Sequence, residues 1–317
     1  MKDLFSGTTI LDSSLEADLL VPFYHRNHGI VTNQFSRVAH NDRFSYIGNV
    51  TLGSSISLSE LRDLYHVVVL AYGAESERAC GIPGEDLNLA PDLKSTDTAV
   101  VLGQGNVALD VARLLLRPTT ELATTDIASS ALVALSESSI RKVYLVGRRG
   151  PMQAACTAKE LREILGIKDL YIHIRNVDLL TTSADEEEMK SNRIRRRVYE
   201  LLSKAASSET SGPSPGQREL HFVFFRKPDK FVESDERSGH VAGVQLEKTV
   251  LRENEGTGIQ TAVGTGQFEE LSCRLVLKSI GHHRGIVPNA LGRVLSDNVE
   301  DTTQFERGLY VSGWLKR

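Results

Sequence analysis

Apolar runs that stop at a glycine set the rhythm of this chain. Tyr65–Gly73 (YHVVVLAYG), Asp97–Gly103 (DTAVVLG) and Lys142–Gly147 (KVYLVG) each read as a buried parallel strand. Their β-branched residues follow one another without polar alternation, as in strands covered on both faces. Arg274–Gly281 and Gly308–Gly313 add two more strand-to-glycine units. Between the second and third runs, Val107–Leu116 places apolar residues at helical spacing, and Ala131–Leu135 suggests a further helix. Strands alternating with helices predict an α/β fold.

Two stretches break the rhythm. Ala205–Gln217 is dominated by Ser, Thr, Gly and Pro and reads as a solvated loop. Leu220–Phe225, Val241–Leu251 and Thr261–Glu269 read as short strands with polar turns, a small antiparallel layer inserted into the parallel fold. No repeat recurs at solenoid spacing.

Composition narrows the function classes. With 317 residues and 40% hydrophobic content the chain has material for two domains. Its 37 Lys and Arg against 41 Asp and Glu give a net charge of -4, which supplies no global field for nucleic acid or an anionic membrane. Cys80, Cys156 and Cys273 form no C-x-x-C pair and no disulfide framework, which fits a reducing compartment and leaves no zinc motif. Cys156 reads as a packed thiol, and His282 with His283 as a solvent-facing loop pair rather than metal ligands. No apolar run approaches the roughly 18 residues of a spanning helix. Met1–Phe5 lacks a signal core, and Asp3, Asp12, Glu16 and Asp18 argue against a transit peptide.

The sharpest motif is Gly103-Gln104-Gly105-Asn106-Val107-Ala108, a G-x-G-x-x-A element directly after a predicted strand and opening a predicted helix. Gly103 makes the tight turn, Gly105 lets backbone approach a pyrophosphate, and Ala108 lets helix and strand pack closely. The helix N-terminus then holds the phosphates. At the end of the next strand an NAD-preferring site would usually carry a carboxylate for the ribose 2′-hydroxyl. Here stand Arg148 and Arg149, two guanidiniums suited to a 2′-phosphate, so NADP is the favoured cofactor. The bland alternative is a solvated turn.

A second basic feature is Asn192–Leu201. Ile194, Val198 and Leu201 form an apolar stripe, and Arg193, Arg196 and Arg197 share a neighbouring face. Such a face could steer an acidic protein partner. The alternative is a solvated face balanced by the surface charges Asp185–Glu188 and Glu200.

Read together and in order, several words resemble the adrenodoxin reductase family, the mitochondrial-type NADPH:ferredoxin oxidoreductases that carry FAD. They are Gly48-Asn49-Val50 with Gly53, Val69–Glu75, Ile82–Glu85, Val101–Asp110, Val146–Pro151, Lys159–Glu163, Ser279–Gly281 and Gly308–Trp314. The resemblance implies an NADP-binding Rossmann-like domain at 93–281, inserted in a partial FAD-binding domain at 1–92 and 282–317. It implies that Gln104–Val107 touch the NADP phosphates, Arg148 and Arg149 the 2′-phosphate, and Glu160 a polar group at the nicotinamide end. A strand from Val50 to Leu52 and Trp314 would belong to the FAD pocket. Hydride would pass from NADPH to flavin N5, and electrons would leave singly to an adrenodoxin-like [2Fe–2S] ferredoxin serving cytochrome P450 or iron–sulfur assembly. Arg193, Arg196 and Arg197 would dock that ferredoxin. The implied location is the mitochondrial matrix, with peripheral association at the inner membrane.

The sequence also departs from the family. Met1–Thr32 holds no G-x-G-x-x-G element for the ADP half of FAD, and Leu19–Arg26 only faintly resemble the segment that follows it. Asn88-Leu89 lead directly to Ala90–Leu93, where relatives carry an aromatic-containing segment, and a second stretch is missing between His283 and Gly285. The chain stops at Arg317, before the family's Gly-Pro-Thr-Gly helix start. Two functions follow from this: a flavoprotein reductase, or a catalytically impaired form that binds only NADP or ferredoxin. A flavin disulfide reductase would need the missing C-x-x-C.

Overall fold

The computed structural model describes residues 35–73, 76–85, 91–125, 127–208, 212–253, 260–283, 287–296 and 304–313. Among these, residues up to Arg78 and from Gly281 onward form one compact unit, and Ala79–Ile280 a second unit inserted in its sequence. Met1–Thr32, the junctions at 86–90 and 284–286, and Trp314 lie outside the described residues.

In the first unit a helical stretch at 35–39 precedes helix α1 (Leu58–Leu64), which is set by a capping box in which the Ser57 side chain takes the Glu60 N–H and the Glu60 carboxylate takes the Ser57 N–H. Strand β1 (Val68–Leu70) and the short β2 (Ser76–Glu77) follow. The strand expected at Val50–Leu52 is instead the entry to a turn. Ser55 N–H bonds the Thr51 carbonyl at 2.8 Å and Gly53 N–H the Ile56 carbonyl at 2.7 Å, closing the chain on itself before any ladder can form.

The second unit begins with β3 (Thr98–Leu102), followed by α2 (Asn106–Leu116), α3 (Thr119–Leu122), α4 (Ser129–Ser136) and β4 (Lys142–Val146). Then come α5 (Ala158–Leu165), β5 (Leu170–Ile174), α6 (Ser183–Ser191), α7 (Arg193–Ser207) and β6 (Arg218–Val223). Strands β7 (Arg226–Glu233), β8 (Val241–Glu253), β9 (Gln260–Ser272) and β10 (Leu275–Lys278) complete it. Five of these strands form a parallel sheet in the order β10-β3-β4-β6-β5, and β7-β8-β9 form an antiparallel sheet.

The parallel sheet is covered on both sides, which is why its strands read as continuous apolar runs. Ala99, Val101, Val143, Leu145, Leu220 and Phe222 pack with helices α2, α5 and α7 on one face. Val100, Leu102, Val146 and Val223 pack with Val244, Leu246 and Cys273 on the other. The antiparallel sheet is therefore the second cover of the parallel sheet.

Several expectations need correction. Residues 220–223 pair in parallel with β4 and β5 rather than in the antiparallel layer. The missing antiparallel strand is β7, whose charged residues and Pro228 hid it; Pro228 is tolerated because β7 is an edge strand with a register shift between Pro228 and Lys230. Residues 205–207 belong to α7, not to a loop. The apolar stripe of α7 is Val198, Leu202 and Ala206, at i, i+4 and i+8, while Ile194 is 71% exposed. Asp185 is buried, not a surface charge: it caps α6 with Thr182 and accepts a hydrogen bond from Gln153.

The first unit resumes with β11 (His282–His283), β12 (Asn289–Ala290), β13 (Arg293–Leu295) and β14 (Phe305–Val311). β1 pairs in parallel with β14, and β13 and β12 extend that sheet antiparallel. Its core is small: Val68, Leu70, Val294, Leu309 and Val311, backed by Leu52, Leu58, Leu61 and Val287. β1 was expected to be covered on both faces. Only one face is buried here, and Val67 and Val69 are more than half exposed.

Candidate nucleotide-binding site

The glycine-rich turn joins β3 to α2. Gly103 has φ +130° and donates its N–H to the Val146 carbonyl at 2.8 Å. A Cβ there would lie 2.3 Å from the Ser279 carbonyl oxygen, at the end of β10, so both conformation and space demand glycine. Gln104 turns its side chain onto the sheet, donating from Nε2 to the carbonyls of Val223 at 3.1 Å and Leu145 at 3.3 Å. That leaves its backbone, not its amide, to face a ligand.

Gly105 is the N-cap of α2. It supplies no side-chain cap, and the position of its absent Cβ is open space. Asn106 does not cap either, because its Oδ1 accepts the Thr157 N–H at 2.7 Å. The first amides of α2 have no intrahelical acceptor, so the turn presents donors and a positive dipole end toward an open approach. Val107 is exposed on that side, while Ala108 is fully buried and lets α2 lie close to the sheet.

The next strand ends at Gly147-Arg148-Arg149-Gly150. Three successive carbonyls in this turn are held from the antiparallel-sheet side. Gly147 accepts the Arg226 N–H at 3.0 Å, Arg148 the Thr249 hydroxyl at 2.7 Å, and Arg149 the Phe225 N–H at 3.2 Å. The Arg148 side chain is exposed and that of Arg149 half-buried. Burial, followed by the nearby Arg148 and Arg195 guanidiniums, pulls the Arg149 guanidinium below its ordinary value. Neither Arg148 nor Arg149 has a carboxylate partner among the described residues. Adjacent cations held without a counter-ion are suited to an anion with bidentate geometry.

Glu160 sits in the first turn of α5, whose N-cap Thr157 accepts its N–H. The Glu160 carboxylate meets Arg113 of α2 at 3.2 Å. Arg113 is 3% exposed and also bonds Glu163 at 2.5 Å and Asp110 one turn earlier. Burial pushes the Asp110 carboxyl up to about 6, against the pull of Arg113. The sequence reading missed Asp110 and Arg113; their i, i+3 spacing on the helix after the glycine turn was the available signal.

Glu85, of the Ile82–Glu85 word, closes its own loop. It accepts the N–H groups of Cys80 and Gly81, each at 2.7 Å, and Lys278 Nζ at 3.1 Å. Burial raises its carboxyl, but Cys80, Lys278 and Gly81 together hold it below the usual range. Cys156 is packed, its thiol pushed up to about 11 by burial.

On α7, Arg193 is exposed and without an ion pair among the described residues. Arg196 and Arg197 reach Glu200 at 3.8 and 3.1 Å, and Arg195 pairs with Glu188. Val50 is exposed, and Leu52 packs on the small core of its unit.

No protein-family model matches the chain. The mitochondrial NADPH:adrenodoxin oxidoreductase of Arabidopsis thaliana is 62% identical over 326 residues, covering 92% of this chain and 67% of that one. The chain belongs to the NADPH:adrenodoxin oxidoreductase family. The Homo sapiens member of that family is 41% identical over 327 residues, covering 90% of this chain and 63% of its own. Mycobacterium tuberculosis FprA, solved in complex with NADPH, superposes with a TM-score of 0.79 at 32% identity, over 93% of this chain and 68% of that one. The chain thus spans between 62% and 67% of the length of the first family members it matches.

Proposed function

We propose that the chain is an NADPH-dependent flavoprotein reductase that passes electrons from NADPH through FAD to an adrenodoxin-like [2Fe–2S] ferredoxin. The observation that carries this reading is the open helix start at Gly105 together with Arg148 and Arg149, which have no carboxylate partner among the described residues. The backbone from Gln104 to Val107 holds the pyrophosphate, Arg148 and Arg149 grip the 2′-phosphate, and Glu160, steadied by Arg113, meets a polar group at the nicotinamide end.

FAD, when bound, supplies the conversion between a two-electron donor and a one-electron acceptor. The first unit offers a fitting place for it. β1 and β14 are parallel, and the chain leaves them at Gly73 and Gly313, both with positive φ and open space where a Cβ would stand. The crevice beyond the carboxyl ends of parallel strands is where such sheets take ligands. Backbone at Gly73 and Gly313 would hold the flavin there. Arg193, Arg196 and Arg197 supply the cationic face for the ferredoxin. The relatives' names support a mitochondrial location. Among the described residues no helix is long and apolar enough to cross a membrane.

A second reading, a protein that binds NADP and ferredoxin without turnover, is favoured by the uncovered face of β1. A flavin absorbance stoichiometric with the purified chain supports the first reading; a colourless chain that still binds NADPH supports the second. The cofactor assignment itself is tested by replacing Arg148 and Arg149 with Ala. NADPH affinity should fall about 100-fold, the order expected for two charge-assisted phosphate contacts, while NADH affinity stays put. Unchanged NADPH affinity would sink the 2′-phosphate assignment.

A further inference from the structure

The hydroxyl of Thr249 is the one side-chain donor in the clamp that holds the Arg148–Arg149 turn. The Gly147 and Arg149 carbonyls are held by backbone N–H groups, which survive most substitutions. The Arg148 carbonyl between them takes the Thr249 Oγ1 at 2.7 Å. Thr249 is 2% exposed, and its own N–H is fixed to the Phe225 carbonyl at 2.9 Å.

Its placement is built into the antiparallel sheet. Between Glu247 and Thr249 the register of β8 against β9 shifts, and such irregularities re-aim a side chain. Phe225, which donates to the Arg149 carbonyl, has φ +54°, a conformation costly for a bulky residue unless its surroundings fix it. Arg226 then anchors the strand after it through Glu269, with nitrogen–oxygen distances of 2.6 and 3.2 Å. One sheet thus covers the nucleotide-binding strands with Val244 and Leu246 and fastens the turn at their end with Thr249.

We propose that Thr249 is a positioning residue for cofactor choice: by holding the Arg148 carbonyl, it fixes the Arg148–Arg149 peptide so that both guanidiniums meet a 2′-phosphate. This rests on the NADPH reading above. With the carbonyl released, the peptide between the two arginines can rotate, and a bidentate grip needs both forks set in advance. A ligand without the 2′-phosphate does not sense the change.

The test compares 2′,5′-ADP with 5′-AMP on the full chain, because the pair differs only in the 2′-phosphate. Thr249→Val, of equal shape and without a hydroxyl, should weaken 2′,5′-ADP binding about fivefold to tenfold, the loss expected for one hydrogen bond, and leave 5′-AMP within about twofold. Thr249→Ser should restore the wild-type ratio. Equal weakening of both ligands would mean a merely structural residue and overturn the proposal, as would an unchanged ratio. If Thr249→Val does not fold, Thr249→Ala against Thr249→Ser is read on the same ratio. The Arg148→Ala, Arg149→Ala protein separates the two levels. If it keeps a preference for 2′,5′-ADP, the NADPH reading falls and this inference with it; if it loses that preference while Thr249→Val retains it, only the role of Thr249 falls.

Discussion

β3 in the inserted unit and β1 in the surrounding one are both parallel strands written in the same apolar alphabet, yet they end in different environments. In β3 the four residues from Ala99 to Leu102 are each at most 1% exposed, enclosed between helices on one face and the antiparallel sheet on the other. In β1, Val68 and Leu70 are buried while Val69 is 54% exposed, as is, less strongly, its partner Tyr310 on β14. An unbroken apolar strand states what it is built to bury. Whether both covers are present is a separate matter, and among the described residues the first unit provides one.

The same contrast separates the glycines. At Gly103 the fold itself needs glycine, whereas at Gly105 a Cβ would stand in open space. The largest expected effect is therefore from Gly103→Ala, which forces a Cβ against the Ser279 carbonyl at positive φ. It should destabilise the inserted unit by about 3 kcal/mol or more, read by chemical denaturation. Gly105→Ala should change stability by less than about 1 kcal/mol but weaken NADPH binding about tenfold, because the methyl occupies the phosphate approach. Equal stability losses in both variants would erase the distinction.

Next in size is a pH effect confined to the inserted unit. The Asp110 carboxyl titrates near 6 in the folded protein, above its ordinary value of 3.8. The folded state therefore holds a proton that the unfolded chain has already lost between these values. This contribution to stability is present below about pH 4 and lost as pH rises through about 6. In Asp110→Asn that part of the pH dependence should vanish; an unchanged stability profile from pH 4 to 7 would contradict the assignment. The smallest effect belongs to the surrounding unit: Val69→Ser on the bare face should stay within about 0.5 kcal/mol of wild type. Val101→Ser in the inserted unit should cost several times more. A large loss from Val69→Ser would mean that this face is covered in solution.

What could be read from the sequence was local. The glycine turn, the helix of Val107–Leu116 and the paired arginines follow from short-range spacing, and the structure has a helix at Asn106–Leu116. The turn was legible because a glycine-rich strand-to-helix turn needs particular residue types at fixed offsets. What escaped was set by partners distant in sequence. Nothing local says that Arg218–Val223 pairs with β4 and β5, or that Thr249 reaches the Arg148 carbonyl 101 residues away. Pro228 lies in a strand whose edge position permits it, and that position is set only by the sheet order. Asp185 looked like one charge in an acidic run, yet it is buried and bonded to Gln153. The Gly48–Gly53 word carried the family resemblance, yet its local bonds make a turn where a strand was expected.

Hydrogen exchange on the full chain, with and without NADP+, tests the account most directly. Slow exchange should centre on β3, β4 and β10, with β1 and β14 opening at lower free energy, since fewer buried contacts hold them. Added NADP+ should protect the amides from Gln104 to Val107 and the Arg148–Arg149 turn and leave β1 and β14 unchanged. Equal protection of β1 and β3 without ligand, or NADP+ protection that misses the glycine turn, would contradict a self-sufficient nucleotide-binding unit set within a partly covered one.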